Sequence, residues 1–326
     1  MARLGEAAAR DILVPSGDDA AAWANRGAVT VATTDALVEG VHWRTGLQGA
    51  RPTMSWADAG WRAIASNVSD IAAMGAIPDF ALVSAVLGTG LDLEALDCLI
   101  EGMGAACVAH GVRIAGGDID RGSQTVLGVT LIGHARGTVE APALLRRDGA
   151  RVGDAIAVSG YPGASAAGLA VIEAGRESEA GVEPLLEAHR RPRARVELGH
   201  AALEAGVRCA IDVSDGLLQD LGHIARRSGV GIEVDLDALP ISMDAVGALG
   251  VGRARDLALG GGEDYELALA GAEAALHSLW RDELPVTVIG RVVAEHPGEA
   301  WALDGRGARY VPPSSGWDHL AGGARG

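Results

Sequence analysis

Acidic residues recur where this chain turns out of its strand-like runs: Gly17-Asp18-Asp19, Thr33-Thr34-Asp35, Gly116-Gly117-Asp118 and Asp212-Val213-Ser214-Asp215-Gly216. A chain written this way gathers its polar chemistry at the ends of several strands. Residues 28–35 (AVTVATTD) are β-branched and apolar and read as a strand with Asp35 at its tip. Ile64, Val68, Ile71 and Met74 recur at helical spacing over 55–74, and Gly75 supplies the stop. Strands are expected at 79–87, at 112–115 running into GGD, and at 125–135, with a second helix at 92–109. The polar stretch RRDGARVGD (146–154) marks a connection, giving domains 1–145 and 146–326. Beyond it, strands at 154–160, GIEVDL, DYELALA and VTVIGRVV alternate with helices at 164–175, 194–205 and 216–227. The Gly-, Pro- and Ser-rich C-terminal tail reads as a surface segment carrying Trp317.

With 326 residues, two domains of roughly 150 residues each are expected. Hydrophobic residues make up 48% and aromatic ones only 3%, so the cores must be built from Ala, Val, Leu and Ile. The net charge of −16 lacks the basic footprint that nonspecific nucleic-acid binding needs. Every basic residue is arginine, and the chain has no lysine. That excludes a Walker-type P-loop, the strand lysine of protein kinases and a lysine Schiff base. Phosphate chemistry here must rely on metal ions, arginine and backbone N–H groups. Cys98, Cys107 and Cys209 lack C-x-x-C spacing and read as reduced thiols of a cytoplasmic protein. MARLGEAAARD has no apolar signal region, and no apolar run approaches the ~18–20 residues of a membrane span.

Magnesium takes oxygen ligands in octahedral geometry, usually one or two carboxylates together with substrate phosphates. A single Gly-Asp is also ordinary turn chemistry. Asp70 differs because it sits on a helix between Val68 and Ile71, with Asn67 on its face. A carboxylate against apolar packing needs a partner, either a metal or an arginine such as Arg62 or Arg121. In 212–216, Ser214 or Asp215 can cap the next helix, whose start is itself an anion site. Capping explains one of these polar residues; a metal bridge to a phosphate explains Asp212, Ser214 and Asp215 together. Gly260-Gly261-Gly262 ahead of Glu263 allows close approach of a ligand, or simply makes a tight connection. His42 is a substrate contact or a structural imidazole. Arg147 is a bidentate phosphate ligand or a solvated side chain.

Taken together, GDDAA (17–21), TTDALVEGVHW (33–43), SNVSDIAAMGA (66–76), GGD (116–118), RRDGARVGD (146–154), IDVSDGLLQDLGHIA (211–225), GGGEDYEL (260–267), VIGR (288–291) and GWDHL (316–320) resemble the thiamine-monophosphate kinase family in order and spacing. The resemblance implies an N-terminal α+β domain whose four-stranded mixed sheet pairs with a second subunit's to form a barrel, then a C-terminal α/β domain. It implies a cytoplasmic homodimeric enzyme that phosphorylates thiamine monophosphate with ATP. Carried over residue by residue, Asp19, Thr33, Thr34, Asp35, Asp70, Asp118, Asp212 and Asp215 form a set for several magnesium ions. Gly117, Asp118, Arg147 and Ser214 match ATP-contacting positions. His42, Glu263 and Trp317 match positions near the thiamine phosphate, and Trp317 suits stacking on a cationic ring. Three departures stand out. The segment before GDD is short, His110 occupies an ATP-side position where members often carry Tyr, and GGDIDRG puts Asp120 where a hydroxyl is common.

The acceptor implied is itself a phosphate. At ~4 Å and an effective dielectric near 20, each pair of unit charges repels by about 4 kcal/mol, which a carboxylate-held metal cage would offset. An ionised acceptor needs no general base and no protein nucleophile, so direct in-line transfer is expected. Two other readings are a sister ATP-dependent enzyme and a catalytically silent acidic protein binding cations or nucleotide. The reactive N-terminal Cys of selenophosphate synthetase and the C-terminal Cys of the hydrogenase maturation protein have no counterpart in this sequence.

Overall fold

The computed structural model describes residues 12–14, 17–25, 27–46, 49 and 51–317. The MARLGEAAARD segment, and Asp318, His319 and Leu320 of the GWDHL motif, lie outside the described residues. Two compact units form, 1–144 with 190–200, and 145–189 with 201–326. A linear boundary near 145 therefore does not capture 190–200, which folds with the first unit. There Trp61 Nε1 donates to Pro192 O at 2.8 Å and Arg191 Nε to Asp58 Oδ1 at 2.6 Å.

The first unit contains β1 (Ile12–Val14), β2 (Ala21–Asn25), β3 (Ala28–Val38), α1 (Trp56–Ala73), β4 (Ile77–Leu87), α2 (Leu93–His110), β5 (Arg113–Arg121), β6 (Val126–His134), and a small ladder of β7 (Arg136–Gly137) and β8 (Pro142–Ala143). Its sheet runs β1-β2-β3-β6-β4-β5, six strands among the described residues where the resemblance implied four. Only β4 and β5 are parallel, joined by the α2 crossover that parallel pairing demands.

A capping box starts α1: Ser55 Oγ accepts from Asp58 N–H at 3.1 Å while Asp58 Oδ2 accepts from Ser55 N–H at 3.2 Å. The helix is buried on nearly every face, packed between α2 and the sheet in a core built from Ile64, Val68, Ile71, Val29, Val31, Leu127, Val129 and Leu131. On β4 the alternation is plain. Ala81, Ala85 and Leu87 are buried, whereas Phe80 and Leu82 on the opposite face are 44% and 43% exposed.

The second unit contains β9 (Ala155–Ser159), α3 (Ala164–Glu173), α4 (Glu183–Arg190), α5 (Val196–Glu204), β10 (Cys209–Val213), α6 (Leu217–Ser228), β11 (Gly231–Asp235), α7 (Met243–Leu249), α8 (Val251–Gly260), β12 (Glu266–Gly271), α9 (Glu273–His277), β13 (Val286–Val293), β14 (Ala300–Leu303) and β15 (Arg309–Tyr310), the ends of α4 and α5 falling in the 190–200 segment. Its sheet order is β10-β12-β9-β13-β11-β14-β15. Only β11 and β14 pair in parallel, so the sheet is mixed. Strands β9, β10 and β12 are buried throughout, which is why their sequences read as continuous apolar runs. Among the described residues, no helix is long and apolar enough to cross a membrane.

Candidate active site

In the first unit, side chains alternate along β3 and sort the threonines. Thr33 faces α1, where its Oγ1 donates to Asp70 Oδ2 at 2.6 Å. Two residues on, the Asp35 N–H donates to Asn67 Oδ1 at 3.1 Å, one turn earlier on the helix. A carboxylate oxygen of buried Asp19 lies within 4.8 Å of one from Asp70. Thr34 points the other way. Its Oγ1 donates to Val129 O at 3.0 Å and accepts from Thr130 Oγ1 at 3.1 Å, so its hydroxyl is separated from those of Thr33 and the Asp70 carboxylate.

Asp118 lies on edge strand β5, which is exposed along its length, and its Oδ1 accepts from the Ile119 N–H at 3.0 Å. The register Asp35↔Val129, Val129↔Val83, Val83↔Gly117 puts Gly117 level with Asp35 but three strands away, about 14 Å. Asp118 is thus not brought to the Asp19–Asp70 group within this sheet. His110, at the end of α2, packs edge-on against Trp61 with ring centroids 5.9 Å apart. Its Nε2 is shielded from solvent without a hydrogen-bond partner. Burial lowers its pKa below the ordinary histidine value, against the opposing pull of Glu197 and with help from Arg193 and Arg195. The imidazole packs against Trp61 in its neutral form. His42 closes the turn after β3, its Nδ1 accepting from the Val38 N–H at 3.0 Å, which assigns the neutral ring's proton to Nε2.

In the second unit, Asp212 sits on fully buried β10 and is 2% exposed. The loop after it is organised by Asp220, a residue outside the candidates read from the sequence. Asp220, on the first turn of α6, reaches back so that Oδ2 accepts from the N–H groups of Ser214, Asp215 and Gly216 at 3.1, 3.1 and 3.0 Å. Neither Ser214 nor Asp215 caps the helix; Gly216 is the N-cap, without a side-chain cap bond. The N–H groups of Ser214, Asp215 and Gly216, just ahead of the helix, are thus taken by a carboxylate of the chain itself and are not available to a phosphate. Burial and the nearby Asp215 charge push Asp220 up to about 7, despite the backbone hydrogen bonds and the positive charge of Arg147. Arg147 accordingly exerts its field on this loop, anchored through its carbonyl, which accepts from Ser228 Oγ at 2.9 Å. A ring nitrogen of His223 and oxygens of Asp215 and Asp220 lie within 4.8 Å of one another.

The GGGED segment runs alongside that loop. Glu263 N–H donates to Ser214 O at 2.7 Å and Tyr265 N–H to Val213 O at 2.9 Å. Both residues hold positive φ, 68° and 55°, a conformation in which a bulky side chain is strained. Such strain persists where the surroundings impose it and clusters at functional sites. Tyr265 donates its hydroxyl hydrogen to Glu263 Oε2 at 3.0 Å, fixing the carboxylate. Trp317 is 49% exposed and docks its N–H on Asp215 O at 3.0 Å. Sequence reading missed Asp220, Gln219 and Tyr265; Gln219 reaches Trp317 across 98 positions, whereas the partners of Asp220 and Tyr265 lie within six residues. The DGLLQD spacing alone, placing Asp220 four residues after Gly216, was a usable signal for the first.

The Asp19, Asp70 and Thr33 donors of the first unit are entirely oxygen, carboxylate and hydroxyl, which is the chemistry that fits magnesium. Fold and site together define a class. The N-terminal domain of AIR synthase related proteins matches residues 17–135, and the C-terminal domain of the same family matches 151–301. Within that class, the thiamine-monophosphate kinase of Salmonella typhimurium is 36% identical over 295 residues, covering 89% of this chain and 86% of its own. Among solved structures, "AaThiL complexed with AMPPCP and TMP" superposes with a TM-score of 0.80 at 32% identity, covering 93% of this chain and 91% of the other. The thiamine-monophosphate kinase of Stenotrophomonas maltophilia K279a gives 0.76 at 38% identity, covering 92% and 93%. The chain belongs to the thiamine-monophosphate kinase family of enzymes.

Proposed function

We propose that this chain transfers the γ-phosphate of ATP to the phosphate of thiamine monophosphate, giving thiamine diphosphate and ADP by direct in-line displacement. The observation that carries this reading is the Asp19–Asp70 carboxylate pair braced by Thr33, an oxygen cluster of the kind that holds hard cations. Asp19, Thr33, Asp35, Asp70, Asp212 and Asp215 are the residues that would hold magnesium, whereas the Thr34 hydroxyl is engaged on the other face of β3 and Asp118 stands on β5 with the nucleotide-addressing residues. Bound magnesium supplies charge neutralisation between donor and acceptor phosphates.

The chain's own groups bind and orient. Gly117 and Asp118 on β5, with Arg147 and Ser214, address the nucleotide. Arg147 would bind phosphate oxygens in bidentate fashion, arginine standing in for the lysine this chain lacks. Glu263, held by Tyr265, together with His42 and Trp317, addresses thiamine monophosphate, whose cationic thiazolium suits a carboxylate and an indole. No general base is assigned, since the acceptor oxygen is ionised at neutral pH. A homodimer forms through the open face of the first unit's sheet, where Phe80 and Leu82 are exposed; exposed apolar side chains of that kind mark an interface.

Phosphorus NMR of the purified protein with magnesium, ATP and thiamine monophosphate tests the reaction. New diphosphate resonances matched by ADP, and absent with unphosphorylated thiamine, are expected. ATP left intact in the presence of both partners sinks the proposal.

A further inference from the structure

Gln219 lies in the first turn of α6, and its side-chain amide donates in two directions. Nε2 is 3.1 Å from Asp215 Oδ2 and 2.6 Å from the main-chain oxygen of Trp317. The Trp317 N–H closes the other half of the arrangement on Asp215 O at 3.0 Å. Backbone and side chain meet with no room to spare. A Cβ on Gly316 would fall 2.6 Å from Gln219 Cβ, and one on Gly216 would fall 3.1 Å from Gly316 Cα. Asp215, Gln219, His223, Arg226, Trp301 and Trp317 line a cavity of about 650 Å³ in this unit, large enough for the two-ring portion of a small cofactor precursor.

We propose that Gln219 is a positioning residue that couples the Trp317 wall of this cavity to Asp215, and so sets the affinity for the ring portion of thiamine monophosphate. The inference rests on the reading of Asp215 and Trp317 given above. Both partners of the Gln219 amide are acceptors, so the residue must bring two N–H donors. An isosteric carboxylate brings none, and it adds a negative charge beside Asp215. Glutamate is therefore as damaging as alanine although it fills the same space. A lysine, whose ammonium carries three donors, keeps the coupling.

The test uses the full chain and its Gln219→Glu, Gln219→Ala and Gln219→Lys variants, with two readouts. One is steady-state kinetics in each substrate; the other is amide hydrogen exchange over residues 311–317. The Glu and Ala variants are expected to raise KM for thiamine monophosphate about tenfold and to speed exchange at the Trp317 amide by a similar factor. KM for ATP and Tm should hold, and the Lys variant should recover most of the loss. Unchanged KM in the Glu variant overturns the substrate role, and a Lys variant as impaired as Glu overturns the donor requirement. Should the wild-type chain fail to phosphorylate thiamine monophosphate, the functional reading falls by itself. The exchange data then decide the coupling separately: unchanged rates in the Glu variant overturn it, and faster rates uphold it.

Discussion

Thr33 Oγ1 donates a 2.6 Å hydrogen bond to Asp70 Oδ2, tying strand β3 to helix α1 across 37 residues of sequence. The bond orients a carboxylate that stands within 4.8 Å of the Asp19 carboxylate. At that separation and an effective dielectric near 20, two unit negative charges repel by roughly 3–4 kcal/mol. Asp70→Asn removes that repulsion. Turnover should fall by about 100-fold or more while Tm in magnesium-free buffer rises. Thr33→Val should keep the fold but weaken the magnesium requirement curve about tenfold, as loss of an orienting partner does at metal sites. Magnesium titrations of initial rate, paired with thermal melts, check both; an unchanged magnesium dependence in Asp70→Asn would falsify the cage.

Glu263 and Tyr265 test whether strain has been kept for function. Glu263→Gly relieves the φ of 68° and should raise stability by about 1 kcal/mol while raising KM for thiamine monophosphate at least tenfold. Tyr265→Phe deletes the hydroxyl on Glu263 Oε2 and should raise the same KM several-fold with ATP KM unchanged. Urea melts and two-substrate kinetics decide. A Glu263→Gly variant that is more stable and fully active would leave the strain without a functional reason.

Asp264 gives the fold a built-in pH dependence. It is buried, and desolvation pushes it up to about 8 from the ordinary carboxylate value, although it accepts from the N–H groups of Gly163 and Ser165 at 2.6 and 3.0 Å. The native state holds a proton that the unfolded chain releases near pH 4. Stability from this group is therefore fully present below about pH 4, and it is lost as pH rises through about 8. Urea midpoints across pH 4–9 should decline toward alkaline pH, and Asp264→Asn should flatten that decline. An equally steep decline in the Asn variant would refute the assignment.

Leu82→Asp places a charge on the open face of the first unit's sheet without touching the buried alternate positions of β4. The variant should remain folded by circular dichroism yet run as a monomer by light scattering, where the parent runs as a dimer. A parent that is monomeric at micromolar concentration removes the dimer from the proposal.

Much of the framework was legible. The VTVIGRVV run is β13, residue for residue, and the helix read at 55–74 is Trp56–Ala73, because both elements bury a face whose period is written locally. β5 was read as ending before GGD, yet it runs from Arg113 to Arg121. Gly116-Gly117-Asp118 belongs to a strand because β4 offers it a ladder, and glycine's turn preference yields to that pairing. Residues 183–190 and 243–260 were not read as helices, and the short strands β14 and β15 were also missed, since each carries too few residues for its period to show.

The amino-acid sequence by itself determined the acidic chemistry and the exclusion of lysine-based phosphate binding, whereas the expected strand tips lie further on, Asp35 standing inside β3 and Asp118 inside β5. The first two follow from composition and from patterns a few residues long. The tertiary structure alone decided that Thr33 bonds to Asp70 while Thr34 bonds to Val129 and Thr130, and that Gln219 reaches Trp317 across 98 positions. A hydrogen bond depends on distance in space, and the separation of its partners along the chain leaves no trace in either one's neighbourhood.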